Sequence, residues 1–426
     1  MSTPDAGLAL HPFRALRPTV DASRLGQLLC PPYDVIDDAE RTALLEADPD
    51  NAVALILPSD EGEAEGRDRY QVAAHQLQAA RQRGLYATDA DPALYVYELT
   101  DGRATTRGLI GAVELRDPAD NVILPHENTM AGPVADRLAL MIATESNLEP
   151  IYLVYDGGGA ASDAVAQVRP EDAIAQTTTP DGITHRLWAL TDPEHLAVIG
   201  ADLRGRRALI ADGHHRYATY RELQELWDTE RGPGPWDRGL TLLVDSSSYG
   251  PQVHAIHRVV VGIGLPALLD RTDGWCATIE VADPEAGLQL AGQTSGFAAV
   301  LADAQRTVLL ADNHAKLAEA SVEAGGVPAL AELDVTVLHR TLVGTVWAIP
   351  DDVDHVGYAH SVTEALAEAA RTGGTAVLLR PTPVAAVAAV AAAGGRMPRK
   401  STLFTPKPAS GLVMRLFADE AGPAGH

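Results

Sequence analysis

Residues 209–223 read LIADGHHRYATYREL, an apolar run that stops at Asp212 and Gly213 and releases two histidines and an arginine into a helical pattern. A strand, a glycine turn and a helix start in that order bring unpaired backbone N–H groups to one point, and Gly213 lets a ligand come close to the backbone. Phosphate is the natural guest. His214, His215 and Arg216 fall in the first helical turn, where cationic side chains oppose the helix dipole unless an anion is present. The competing reading makes Asp212 a plain helix N-cap and one histidine a core residue. It leaves the second histidine and Arg216 unexplained.

Two further segments carry chemistry. ILPHENT places His126, Glu127 and Thr129 just after a strand, where a carboxylate held near a hydroxyl can act as general base; as a solvated loop carboxylate, Glu127 would do nothing. MPRKSTLFTPKPASG (397–411) combines Arg399, Lys400, Ser401, Thr402 and Lys407 with three prolines that stiffen the backbone. Such a segment can clamp a polyphosphate, lysine acting as a point charge and hydroxyls as donors, or it is a basic, proline-rich edge strand. Of the 33 basic residues only Lys316, Lys400 and Lys407 are lysine, which singles this segment out. It is not a P-loop, because the GxxxxGK[ST] spacing is absent.

Other chemistries find less support. His254 and His257 are three apart in VHAIHRVVV, which reads as a strand and points them to opposite faces. His126-Glu127 lacks the HExxH continuation, and neither GxSxG nor a GxGxxG with a following acidic partner occurs. LLCPPYDVID (28–37) is a rigid double-proline loop carrying Tyr33 and Asp34, read as packing or as a pocket wall.

The elements that must position these residues form three consecutive sections. Residues 1–100 read as a small α/β region: an acidic loop, SDEGEAEGRD, precedes the helical period of RYQVAAHQLQAARQRG, and ALYVYEL turns through DGR into GLIGAVEL, a hairpin. Residues 101–265 form a central region with a helix around ADRLALMIATESN, strands at PIYLVYD, LTLLVD and HRVVVG, and a hairpin in DAIAQTTTPDGITHRLWAL. Residues 266–426 add helices and strands, including RTVLLAD and the alanine-rich VAAVAAVAAAGG, whose flanking Pro383 suits a helix start. The fold class is α/β with mixed α+β character.

A chain of 426 residues has room for about two to three domains. Its 58 acidic against 33 basic side chains give a net charge of −25, which repels nucleic acid and anionic membrane and favours a small-molecule partner. Cys30 and Cys276 are too few for a disulfide framework. With neither a leader-like start nor a long apolar run, the chain is expected to be soluble and cytoplasmic.

At these motifs the sequence resembles the family known as domain of unknown function 1015. The likeness runs almost end to end, through HPFRALRP, CPPYDVI, LPHENT, SNLEPIYLVYD, IADGHHRYAT, HRVV, LDVTVLH and MPRKSTLFTPKPASGL. The pair PHE and DGHHR is also similar to the two site motifs of free serine kinases in the ParB and sulfiredoxin superfamily, whose members bind nucleotide phosphates at a strand-turn-helix junction. That resemblance implies a ParB/sulfiredoxin-like central domain with N- and C-terminal α/β additions and an insertion between Glu127 and Asp212. It implies Glu127 as general base, with Asp212 and His214 in the catalytic group and Asp212 also a magnesium ligand. Gly213, His215, Arg216, Arg399, Lys400, Ser401, Thr402 and Lys407 would surround the phosphates of ATP or ADP, and His126, Thr129, Arg137 and His257 would meet the acceptor. A magnesium- and nucleotide-dependent phosphotransferase acting on a small hydroxyl compound such as serine is the leading expectation. It requires the C-terminal segment to fold back over the DGHHR turn. The rivals are a ParB-like nucleotide switch with a protein partner and a metal-dependent hydrolase using the histidines.

Overall fold

The computed structural model describes residues 7–59, 66–311, 317 and 327–420; residues 60–65 of the acidic loop, and Lys316, lie outside them. The chain gathers into two compact units. Unit one takes residues 1–124, 129–251 and 406–426, and unit two takes 125–128 and 252–405. The described residues of the first hundred thus fall in unit one, while the two later sections each contribute to both. The architecture is mixed α/β.

Unit one is built on a nine-stranded mixed sheet. Its strands in chain order are β1 (Leu10–His11), β2 (Leu94–Thr100), β3 (Thr105–Glu114), β4 (Ile123–Leu124), β5 (Ile151–Tyr155), β6 (Ala175–Thr178), β7 (Thr184–Leu190), β8 (Ala208–Asp212) and β9 (Arg238–Asp245). They lie in the order β4-β8-β5-β9-β3-β2-β7-β6, with β1 added on β3. The two expected hairpins are present: β2 pairs with β3 and β6 with β7, both antiparallel. All five residues of β5 are buried, as a strand covered on both faces requires.

Three helices matter for the site: α1 (Arg69–Gln82), α2 (Ala131–Thr144) and α3 (His214–Arg231). α1 starts at a capping box between Asp68 and Gln71 and stops where Gly84 turns to φ 75°, which glycine adopts without steric cost. α3 presents Tyr217, Tyr220, Leu223 and Trp227 to a core that includes Ile151, Leu153, Ile210 and Leu243. Truncating Ile210 to alanine there would cost about 2–5 kcal/mol, because it ties the end of β8 to the sheet just before the DGHHR turn.

The C-terminal tail is bonded into unit one. Ser410 exchanges backbone hydrogen bonds with Cys30, and Met414 with Leu16. Fully buried Arg415 meets Glu420 through Nε and Nη2, both at 2.5 Å, and reaches the carbonyls of Arg238 and Pro235. A buried charge survives only with such partners. The tail thereby carries Lys407 to the CPPYD loop.

Unit two holds a six-stranded antiparallel sheet of β10 (His257–Val260), β11 (Ala277–Val281), β12 (Ala298–Ala302), β13 (Thr307–Ala311), β14 (Val356–Ala359) and β15 (Thr375–Leu379), in the order β11-β13-β12-β15-β10-β14. Helices Pro284–Gln293 and Val362–Thr372 pack on it, and their alanines join Val259, Val300 and Leu378 in its core. The alanine-rich stretch is a helix, Val384–Ala392, with Pro383 at its N-cap. VHAIHRVVV departs from a single strand: Gln252–His254 pairs with Leu403–Thr405, the chain breaks at Ala255 and Ile256, and β10 follows. Residues Val337–Val346 wind as a π-helix. Among the described residues no helix is long and apolar enough to cross a membrane.

Candidate functional site

Asp212 is the last residue of β8, and Gly213 follows in the left-handed region at φ 90°. A Cβ at Gly213 would stand 3.2 Å from the Arg216 guanidinium, so the turn needs glycine for both conformation and space. The helix start has no side-chain cap. Asp212 is therefore not the N-cap that the competing reading made it. Its Oδ2 accepts from Arg216 Nη2 at 2.6 Å, and its Oδ1 lies 2.7 Å from Lys407 Nζ. Lys407 also sits 3.3 Å from Asp34.

Burial works against a charge on Asp212, but the Lys407 ammonium and the Arg216 guanidinium outweigh it and hold the carboxyl below its usual range. Burial likewise works against Lys407, yet Asp212 and Asp34 raise its pKa. The pair is ionised at neutral pH. Asp212 thereby holds Lys407 and Arg216 together at the end of β8.

Arg216 is buried, with Nη1 donating to the Pro150 carbonyl and Nε without a hydrogen-bond partner. Glu149 accepts from the Tyr33 amide at 3.1 Å and from Ser410 Oγ at 3.0 Å, with Arg137 Nη1 4.0 Å away. Burial pushes the Glu149 carboxyl up despite Arg216 and Arg137. Arg137 lies over the Tyr33 ring at 4.2 Å and bonds Asp136 and the Ile56 carbonyl. A cavity of about 30 Å³ between Arg137, Glu149, Arg216 and Tyr220 has room for a single water. His215 Nε2 accepts from the Met130 amide at 3.1 Å, which leaves its proton on Nδ1; burial lowers its pKa. His214 is buried, and Thr129 is exposed.

In unit two, His126 is fully buried, with Nε2 3.0 Å from Thr402 Oγ1 and its carbonyl accepting from the Met397 amide. Ser401 Oγ donates to the Pro398 carbonyl at 2.5 Å, and Lys400 takes φ 50° between the exposed Arg399 and buried Ser401. The PHE and RKST segments are thus brought together. His257 is buried, its Nδ1 accepting from the Leu379 amide at 3.2 Å.

The predicted residues therefore divide. Thr129, Arg137, Asp212, Gly213, His214, His215, Arg216 and Lys407 belong to unit one, and His126, Glu127, His257, Arg399, Lys400, Ser401 and Thr402 to unit two. Sequence patterns do not single out Glu149, whereas Asp34 lies in the rigid CPPYD loop read as packing or as a pocket wall. Asp212, expected as a magnesium ligand, meets Arg216 through Oδ2 and Lys407 through Oδ1. Among the described residues no group of three or more His, Cys, Asp or Glu side chains is placed to hold a metal ion.

A family model described as Protein of unknown function (DUF1015) matches residues 10–336. No curated protein matches. Among solved structures, a mutant free serine kinase in complex with ADP is 16% identical, with 66% of this chain and 84% of that chain covered at a TM-score of 0.35. A conserved hypothetical protein from Pyrococcus furiosus is 16% identical over 69% of this chain and 92% of its own, TM-score 0.35. SbnI with a C-terminal truncation, from Staphylococcus aureus, is 12% identical over 74% and 90%, TM-score 0.37.

Proposed function

We propose that this chain, which belongs to the DUF1015 family, binds nucleotide phosphates at the DGHHR turn of unit one and transfers a phosphoryl group to a small hydroxyl compound. The observation that carries this reading is Lys407 Nζ, 2.7 Å from Asp212, at a helix start that no side chain caps. Phosphoryl transfer asks a protein mainly for positioning and charge neutralisation. The amides opening α3 and the Lys407 ammonium supply both. Arg216, spent on Asp212 and Pro150, contributes through its charge rather than by grasping the phosphates.

ATP or ADP is the first candidate donor and serine the first candidate acceptor, on the likeness of PHE and DGHHR to the site motifs of free serine kinases.

The test is nucleotide consumption by the full chain, with and without a panel of small alcohols that includes serine. Acceptor-dependent consumption with a phosphorylated product supports the reading. Consumption indifferent to the panel would identify a nucleotide switch instead, and absence of nucleotide binding would sink both.

A further inference from the structure

We propose that unit two carries a phosphate-type anion site of its own on the 399–402 turn, with Arg258 beneath it as the positioning residue. This rests on reading Arg399 and Lys400 as phosphate contacts and adds the groups that make them so.

Arg258 on β10 is 1% exposed, yet all its hydrogen-bond acceptors are neutral. Nε donates to His339 Nε2 at 2.8 Å, Nη1 to the Ile256 carbonyl at 2.7 Å, and Nη2 to the Arg399 carbonyl at 3.2 Å. Because His339 accepts through Nε2, its proton is on Nδ1, which lies 3.0 Å from Asp351 Oδ1. A neutral imidazole thus stands between the guanidinium and the Asp351 carboxylate. Among the described residues no carboxylate forms an ion pair with Arg258, and Glu127, Asp351 and Tyr358 act on it only at longer range.

The neighbouring charge makes the imbalance larger. The Arg258 guanidinium lies 4.6 Å from the Tyr358 ring centre, and Lys400 Nζ lies 5.6 Å from the same centre. Two cations share one aromatic ring, Arg258 from the buried side and exposed Lys400 from solvent, and an anion meeting Lys400 would offset both charges. Burial is also the main reason that the Arg258 pKa falls to about 10. Arg258 is too deep to touch a solvent-borne guest. It acts through the Arg399 carbonyl it holds and through its field, while exposed Arg399 and Lys400 meet the anion.

The turn is fixed on its other side by the Met397 amide on the His126 carbonyl and by His126 on Thr402. These contacts keep Lys400 in the left-handed region at φ 50°, a conformation that a non-glycine residue holds only when its surroundings impose it. LDVTVLH, which contains His339, thereby acquires a role, because it supplies the acceptor that orients Arg258.

The experiment is calorimetric titration of the full chain with inorganic pyrophosphate in the Lys407→Met background, which disables the site proposed in unit one. Binding should persist there and weaken at least tenfold when exposed Lys400 is also changed to Gln. Arg258→Met should do the same, and Arg258→Lys should recover part of the affinity at equal thermal stability, a charge dependence that a purely structural role would not produce. If Lys407→Met alone abolishes pyrophosphate binding, or if Lys400→Gln leaves it unchanged, the unit-two site is overturned while the reading of unit one stands. If Lys400→Gln lowers pyrophosphate affinity but acceptor-dependent nucleotide consumption is absent, the site stands without the phosphotransferase.

Discussion

Lys407 Nζ stands 2.7 Å from Asp212 and 3.3 Å from Asp34, joining the end of a central strand to a loop near the N-terminus. An ammonium has three N–H donors. Two are directed at these carboxylates, and in the proposed reading the third meets a phosphate oxygen. The choice of lysine is physical in a chain whose cations are nearly all arginine: a compact ammonium fits between two carboxylates as a point charge, whereas a guanidinium presents a planar fork.

Lys407→Met is expected to weaken nucleotide binding about 10- to 100-fold, as loss of a charge-assisted contact in a desolvated site would, and Lys407→Arg should not restore it. Because Lys407 and Asp212 touch, their effects on stability should not add. A double-mutant cycle with Asp212→Asn, read by chemical denaturation, should give a coupling of about 1–3 kcal/mol. Additive losses would mean that the contact is incidental.

The pair also sets a pH signature. Asp212 has its folded pKa depressed, so its contribution is complete above the unfolded value of about 3.9 and is lost as pH falls through the folded value. Lys407 has its folded pKa raised, so its contribution is complete below the unfolded value of about 10.4 and is lost as pH climbs through the folded one. Stability should therefore be indifferent to this pair from about pH 5 to 9. Below about pH 4 the wild type should lose stability more steeply than Asp212→Asn, which denaturation midpoints across pH would reveal; superimposable acid limbs would contradict it.

Much of this arrangement is legible in the sequence because it is local. The period of RYQVAAHQLQAARQRG, the hairpin of ALYVYEL and GLIGAVEL, and the strand-glycine-helix order at DGHHR depend on neighbours within a few residues, and each is found where the pattern puts it. The partners of Asp212 depend on long-range contacts. As an N-cap, Asp212 would need no distant residue, so nothing near it in sequence announces Lys407 or Asp34. Arg258 and His339 are equally hidden, since a strand arginine and a helix histidine become a pair only through unit two's fold. Glu149 reads as one more acidic residue until the fold buries it beside Tyr33, Ser410 and Arg137.

Gly213→Ala tests the turn itself. The new methyl would have to adopt φ 90°, costing roughly 1–2 kcal/mol for an L-residue, and would press on the Arg216 guanidinium at 3.2 Å. Arg216 cannot retreat easily, because it bonds Asp212 and Pro150. A loss of about 1–3 kcal/mol in denaturation and a parallel fall in nucleotide affinity are expected. Unchanged stability would show that the turn relaxes freely.

His257 supplies a prediction in unit two. Its Nδ1 accepts from the Leu379 amide, so the neutral ring carries its proton on Nε2, and burial draws its pKa down to about 4. An unfolded histidine protonates near about pH 6.5. Below that pH the unfolded chain takes a proton that the folded one refuses, so this residue's share of stability is complete above about 6.5 and drains away as pH falls toward the folded value. The difference is worth about 3 kcal/mol at most, spread over that window. His257→Asn keeps an oxygen to accept from Leu379 and removes the titration. Its stability should therefore vary less than the wild type's between about pH 6.5 and the folded value. His185 in unit one, also drawn down to about 4, will preserve some slope in both proteins, which makes the difference between them the quantity to measure. Equal slopes would show that His257 exchanges its proton in the folded state as freely as in water.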